Sequence, residues 1–252
     1  MCPKTLTAII GGTGLTQYPG LEIEREELID TPLGAPSAPL IFASLHGQPV
    51  VFIARHGHPH KFPPNKINYR ANLLALQQVG VTQIIAVNAV GGITAAMGAE
   101  AICIPDQIID YTFAREDTFF DGQFKPLDHV DFSYPYDALL SGALFDAANN
   151  IGELVQLGGV YGATQGPRLE TAAEILRLER DGCAVVGMTG MPEAVLAREL
   201  GIPYACLSLV VNRAAGKSDS VITMDDIHKA LEGGVKKVQR IISDFLSKAE
   251  TT

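Results

Sequence analysis

Short, uninterrupted apolar runs recur along this chain, and segments of helical periodicity fall between them. The runs cover residues 8–10, 40–43, 50–54, 83–87, 101–104, 158–162, 184–186 and 204–211. A strand with one wet face alternates apolar and polar residues; a run with no alternation is the pattern of a strand buried on both faces. Apolar residues recur at helical spacing over 69–79, 141–149, 171–181, 193–200 and 227–248. Strand and helix in alternation predict an α/β fold, with a mixed, largely parallel central sheet flanked by helices. No linker, repeat or composition shift divides the 252 residues, so the expectation is one domain over 1–252.

In such sheets ligands sit where loops leave the carboxyl ends of strands, and the polar clusters of this chain follow the apolar runs. Gly11-Gly-Thr-Gly14 follows the first run, Arg55-His-Gly-His58 the third, and Asn88-Ala-Val-Gly-Gly92 the fourth. Met188-Thr189 follows the run at 184–186, and Asn212-Arg213 closes the last. The first cluster is not a dinucleotide fingerprint, since Gln17 stands where its third glycine would be, and it lacks the lysine of a P-loop. Glycines there let a backbone turn approach a ligand closely, and Thr13 adds a hydroxyl. Arg55 supplies a charged fork suited to phosphate oxygens, with His56 beside it. Asn88 to Gly92 reads as a sharp turn offering the Ala89 and Val90 amides. Pro192 and Glu193 read as the start of a helix, with the acid in its first turn. Each cluster alone is equally a structural turn.

A net charge of −9 argues against nonspecific binding to nucleic acid or to an anionic membrane, so an anionic substrate must meet a local positive pocket. No stretch reaches the roughly 20 apolar residues of a membrane span, and the N-terminus lacks a signal peptide's apolar core. The four cysteines have no zinc-ligand spacing, which fits a reduced, cytoplasmic setting. His56, His58 and His60 alternate in a Gly/Pro-rich loop, a weak metal signal, and no metal is expected.

Taken together the clusters are specific. Ile9-Ile-Gly-Gly-Thr-Gly-Leu15, Ala54-Arg-His-Gly-His58, Asn68-Tyr-Arg-Ala-Asn72, Asn88–Gly92, Gln165-Gly-Pro-Arg168 and Met188–Glu193, in this order, resemble the nucleoside phosphorylase family that includes trimeric purine nucleoside phosphorylases and methylthioadenosine phosphorylases. The resemblance implies a homotrimer with its active site near a subunit interface. It implies phosphate held by Thr13, Arg55, His56, Ala89 and Thr189, and Met188 against the ribose. The implied reaction is phosphorolysis, in which phosphate attacks C1′ of a purine nucleoside and the base departs. Inorganic phosphate is the co-substrate and no cofactor is needed.

Base and sugar are read at separate positions. Adenine-specific members carry aspartates after the last strand; this chain has Asn212 and Ala214 there, and the resemblance makes Asn212 the donor to N7 or O6. Glu170 matches the glutamate that reads N1–H of a 6-oxopurine. Adenine presents a lone pair at N1, and such a buried mismatch costs about 1–3 kcal/mol, roughly 5- to 150-fold. Glu170 is equally a helix N-terminal acid. Leu169 stands where the family often has a stacking phenylalanine. At the sugar end, Met224 and Ile227 replace a histidine that binds the 5′-hydroxyl, and a thioether packs well against a methylthio group; as i, i+3 neighbours they are also plain core candidates. His129 resembles a histidine that reaches a neighbouring subunit's 5′ site. A 6-oxopurine reader with an apolar 5′ pocket fits 5′-methylthioinosine. A general inosine/guanosine phosphorylase, a methylthioadenosine phosphorylase and a noncatalytic purine-binding module are the alternatives.

Overall fold

A computed structural model of the chain describes residues 5–16, 18–218 and 223–248. The elements run β1 (Thr7–Gly11), β2 (Glu22–Glu27), β3 (Leu40–Leu45), β4 (Gln48–Ala54), α1 (Tyr69–Gln78), β5 (Gln83–Gly92), β6 (Ile102–Ile104), β7 (Gln107–Asp110), α2 (Ala138–Asn150), β8 (Val155–Leu157), β9 (Val160–Ala163), α3 (Ala172–Arg180), β10 (Cys183–Gly187), α4 (Glu193–Glu199), β11 (Tyr204–Arg213) and α5 (Met224–Lys248). The strands form one mixed sheet in the order β2-β3-β4-β1-β5-β10-β9-β7, with β11 also paired to β5, β6 to β11 and β8 to β6.

The uninterrupted apolar runs have a direct explanation. Successive side chains of a strand point to opposite faces, and here both faces are covered. Ile10, Ile84 and Cys206 pack with Leu73 of α1 and Leu196 of α4. Their chain neighbours Ile9, Ile85 and Leu207 pack on the other face, with Leu144 of α2 and Ile241 of α5. The result is a helix–sheet–helix sandwich, as the alternation predicts.

The exceptions are informative. β2, β7 and β8 have no counterpart among the apolar runs. β2 carries Glu-Ile-Glu-Arg-Glu-Glu with every residue exposed, and it joins the sheet by backbone pairing with β3, with the Arg25 guanidinium over the Phe42 ring at 3.6 Å. Asn88–Gly92 is not a turn: β5 runs on through Gly92, because β11 stays paired beside it as far as Arg213↔Gly92. On its other edge β5 changes partner. β1 pairs with it in parallel over Gln83 to Ala86, and β10 pairs antiparallel only at Gly91 and Gly92. The stretch 87–90 lies in the fork between them.

Candidate functional site

The fork opens into a cavity of about 400 Å³. Arg55, His56, Ala89, Val90, Leu169, Glu170, Met188, Thr189, Asn212, Ala214 and Ile227 all line it, so the fold gathers residues spread over most of the sequence. The side chains of Thr13 and Met224 lie outside the described residues. Gly12, next to Thr13, lines the cavity. His129 is exposed and does not line this cavity.

Arg55 leaves the end of β4 and turns inward, only 2 % exposed. Its Nε and Nη2 donate to the two carboxylate oxygens of Glu193, each at 2.7 Å. Nη2 also donates to Asn88 Oδ1 at 2.8 Å, and Nη1 to the Val87 carbonyl at 3.0 Å. Burial acts to lower the Arg55 pKa, but the Glu193 charge and hydrogen bonds outweigh it and hold the guanidinium firmly charged. A guanidinium has five N–H donors, so after these bonds one Nη1 hydrogen is left for an anion in the cavity. Glu193, read from sequence as a helix N-terminal acid, is fully buried and also accepts from the Tyr204 hydroxyl at 2.9 Å. Pro192 is the cap residue of α4 rather than its first helical residue. An Arg55→Ala change would strand Glu193 without its cation, so that substitution cannot be expected to leave the fold intact.

The backbone of the fork adds a donor. The Val87 carbonyl points to Arg55, and the two-residue period of a strand turns the Ala89 amide to the same open edge. The Val90 amide turns the other way, toward β11. Val90 therefore lines the cavity without offering its amide, contrary to the sequence expectation. His56 Nδ1 lies 2.8 Å from the Phe62 carbonyl, which can only accept, so the proton sits on Nδ1 and Nε2 is the ring's acceptor. Burial, with the nearby Arg55 charge, pulls the His56 pKa down to about 4, against the opposing Phe62 bond. Its ring stacks on that of His60, centroids 4.2 Å apart. Among the described residues no three His, Cys, Asp or Glu side chains converge as metal ligands.

The opposite end of the cavity is less enclosed. Glu170 is half-buried, and the Thr164 hydroxyl donates to its Oε1 at 2.5 Å. α3 begins directly after it with a capping box between Thr171 and Glu174, which fixes where the chain leaves Glu170. Asn212 Nδ2 donates to the Arg213 carbonyl at 2.7 Å, leaving its second hydrogen and its Oδ1 for a ligand. Ala214 is buried beside Ile93 and Val186, whereas Leu169 is 47 % exposed at the rim. Along α5, Ile227, Leu231 and Val235 recur at four-residue spacing and form one apolar wall with Leu209 and Val211. Leu231 and Val235 belong to none of the sequence motifs, though their spacing from Ile227 carries the signal. Gly187 lies at the floor, where a side chain would run into the Tyr161 hydroxyl.

Cavity and sheet together define an α/β protein in which a buried arginine and an open strand edge face a largely apolar chamber. Residues 7–247 match the phosphorylase superfamily, and the chain belongs to it. It is 55% identical over 243 residues to a probable S-methyl-5′-thioinosine phosphorylase of Pseudomonas syringae pv. tomato, covering 96% of this chain and 99% of that protein. It is 42% identical over 240 residues to the 6-oxopurine nucleoside phosphorylase of Pyrococcus furiosus, covering 93% and 89%. The solved structure of methylthioadenosine phosphorylase from Schistosoma mansoni in complex with adenine superposes with a TM-score of 0.92 at 27% identity, covering 99% of this chain and 93% of that one.

Proposed function

We propose that this enzyme is a pentosyltransferase that cleaves S-methyl-5′-thioinosine with phosphate, giving hypoxanthine and 5-methylthioribose 1-phosphate. The observation that carries the reading is that Glu170, Asn212 and the apolar stripe of Ile227, Leu231 and Val235 line one cavity. A base-reading carboxylate and amide thus share a chamber with a wall that has no partner for a 5′-hydroxyl. The similarity to a probable S-methyl-5′-thioinosine phosphorylase over nearly the whole chain supports the same substrate.

In this reading a phosphate oxygen bonds to C1′ as the N9–C1′ bond breaks, and the electron pair of that bond goes to the purine. Positive charge develops on the sugar and negative charge on the leaving base. Arg55, the Ala89 amide and Thr189 hold the phosphate, with Thr13 completing the pocket. His56, an acceptor at Nε2, meets a hydroxyl of phosphate or ribose. Met188 lies against the ribose, and Asn212 donates to N7 or O6 as charge grows there. Glu170 accepts from N1–H, and the Thr164 hydroxyl holds its other oxygen. No metal or organic cofactor takes part.

The working form is proposed to be a cytoplasmic homotrimer with one domain per chain. Phe113, Leu127 and Tyr134 expose large apolar surfaces in the segment that also carries His129, which supports a subunit contact there and a role for His129 at a neighbour's sugar site. Cys103, Cys183 and Cys206 are buried free thiols, and burial pushes Cys103 and Cys206 up to about 12. Among the described residues no helix is long and apolar enough to cross a membrane.

The test compares kcat/KM for methylthioinosine, inosine and methylthioadenosine, with and without phosphate. Methylthioinosine is expected to lead inosine by at least about 10-fold, the discrimination a small apolar group earns in a fitted pocket. Equal rates on inosine would reduce the enzyme to a general 6-oxopurine phosphorylase, and a lead for methylthioadenosine would overturn the base reading.

A further inference from the structure

Arg115 lies in the long connection between β7 and α2, and none of the sequence motifs includes it. Its guanidinium makes six hydrogen bonds. Nη1 donates to the carbonyls of Met188 at 2.9 Å and Met191 at 2.6 Å, with a longer contact to the Tyr69 hydroxyl. Nη2 donates to the carbonyls of Thr164 at 3.2 Å and Gln165 at 2.8 Å. Nε donates to Gln165 Oε1, which also accepts from the Phe113 amide. Among the described residues no carboxylate forms an ion pair with it. All five donors go to neutral oxygens, and four of those oxygens are backbone carbonyls on two different loops.

Those loops carry the two ends of the cavity. Thr164 and Gln165 begin the loop that ends in Glu170; Met188 to Met191 is the loop of Thr189. We propose that Arg115 is a positioning residue that clamps the base-side loop to the phosphate-side loop and so sets the spacing between the purine and the attacking phosphate. A planar fork is well matched to such a clamp, because its donors leave in fixed, diverging directions and two loops bound to it cannot shift independently. Lysine, a point charge on a flexible stem, would hold one loop or the other. The spacing matters because phosphate and C1′ react only when held in line, and a misplacement of about 1 Å costs about 100-fold in rate.

The inference rests on the nucleoside phosphorylase reading, but not on the choice of nucleoside. The assay therefore uses whichever of the three nucleosides the wild-type enzyme turns over fastest, and a wrong substrate assignment shows there, before any variant is made. Arg115→Ala and Arg115→Lys are then compared by steady-state kinetics, thermal melting and addition of millimolar guanidinium. Arg115→Lys, which keeps charge and stem, serves where Arg115→Ala does not fold. Both variants are expected to lose about 100-fold in kcat with KM for phosphate and nucleoside changed by no more than about 3-fold. Guanidinium is expected to restore part of the kcat of Arg115→Ala, and none of that of Arg115→Lys, whose ammonium fills the site. A kcat near wild type in either variant, a loss carried by KM, or a loss in Arg115→Ala that guanidinium leaves untouched would overturn the proposal.

Discussion

The two ends of the cavity are built on different principles. At the proposed phosphate end the charged groups are interior: Arg55 and Glu193 are buried, and Asn88, Val87 and Tyr204 bind them from the sheet. At the proposed nucleoside end Glu170 is half-buried, Leu169 stands at the rim, and the wall is an apolar stripe of one helix. The proposed phosphate end is thus part of the core, and in that reading its residues serve stability and chemistry at once. At the proposed nucleoside end the exposed Leu169 and half-buried Glu170 are less tied to the core. This division suits a family in which phosphate is constant and the nucleoside varies.

The comparison is broken most sharply at Glu193. Removing one partner of a buried ion pair leaves the other charge stranded, at about 3–5 kcal/mol. Glu193→Ala is expected to lose that much in denaturant unfolding at neutral pH, and a loss below about 1 kcal/mol would sever the phosphate end from the core. Glu170→Ala, which unlike Gln leaves no oxygen to accept from N1–H, is the counterpart at the open end. Its kcat/KM on methylthioinosine is expected to fall by roughly 5- to 150-fold, the cost of an unpaired N1–H. Its melting temperature should stay with the wild type; a large drop would mean that Glu170 is a structural acid after all.

A pH-dependent effect belongs to His56. Its folded pKa of about 4 lies below the ordinary 6.5. Between those values the unfolded chain binds a proton that the folded chain does not, so stability falls as pH drops through that window and is constant above it. Wild type is expected to lose more in melting temperature than His56→Asn between pH 7 and about pH 4. Parallel curves for the two proteins would place His56 in a more solvated setting.

The sequence carried the architecture where side chains are buried on both strand faces, as at Ile9-Ile10 and Ile84-Ile85, because burial leaves its mark in composition. It was silent on β2, whose residues are all exposed and which is placed mainly by backbone pairing with β3. Glycines 91 and 92 suggested a turn, yet in the sheet they lie where β10 meets β5. The cavity residues were legible one cluster at a time. What could not be read was which of them pair: Arg55 and Glu193 are 138 residues apart, and an acid at a helix start looks the same with or without a buried cation. Arg115 and Thr164 act through carbonyls and a neighbouring carboxylate, so neither forms a pattern in the sequence. Discrimination of Val90 from Ala89 needed the strand's direction at the fork.

That fork has a further consequence. An unpaired strand margin at the surface invites other chains to add to the sheet. Here the margin at residues 87–90 faces the cavity, closed at one end by β1 and at the other by β10. It is too short for another strand and open only to something the size of a small anion. Because the amide there belongs to the main chain, only proline, which has no backbone N–H, would delete it by substitution at Ala89. In the proposed site one ligand donor is thus held in place by the connectivity of the sheet rather than by a side chain.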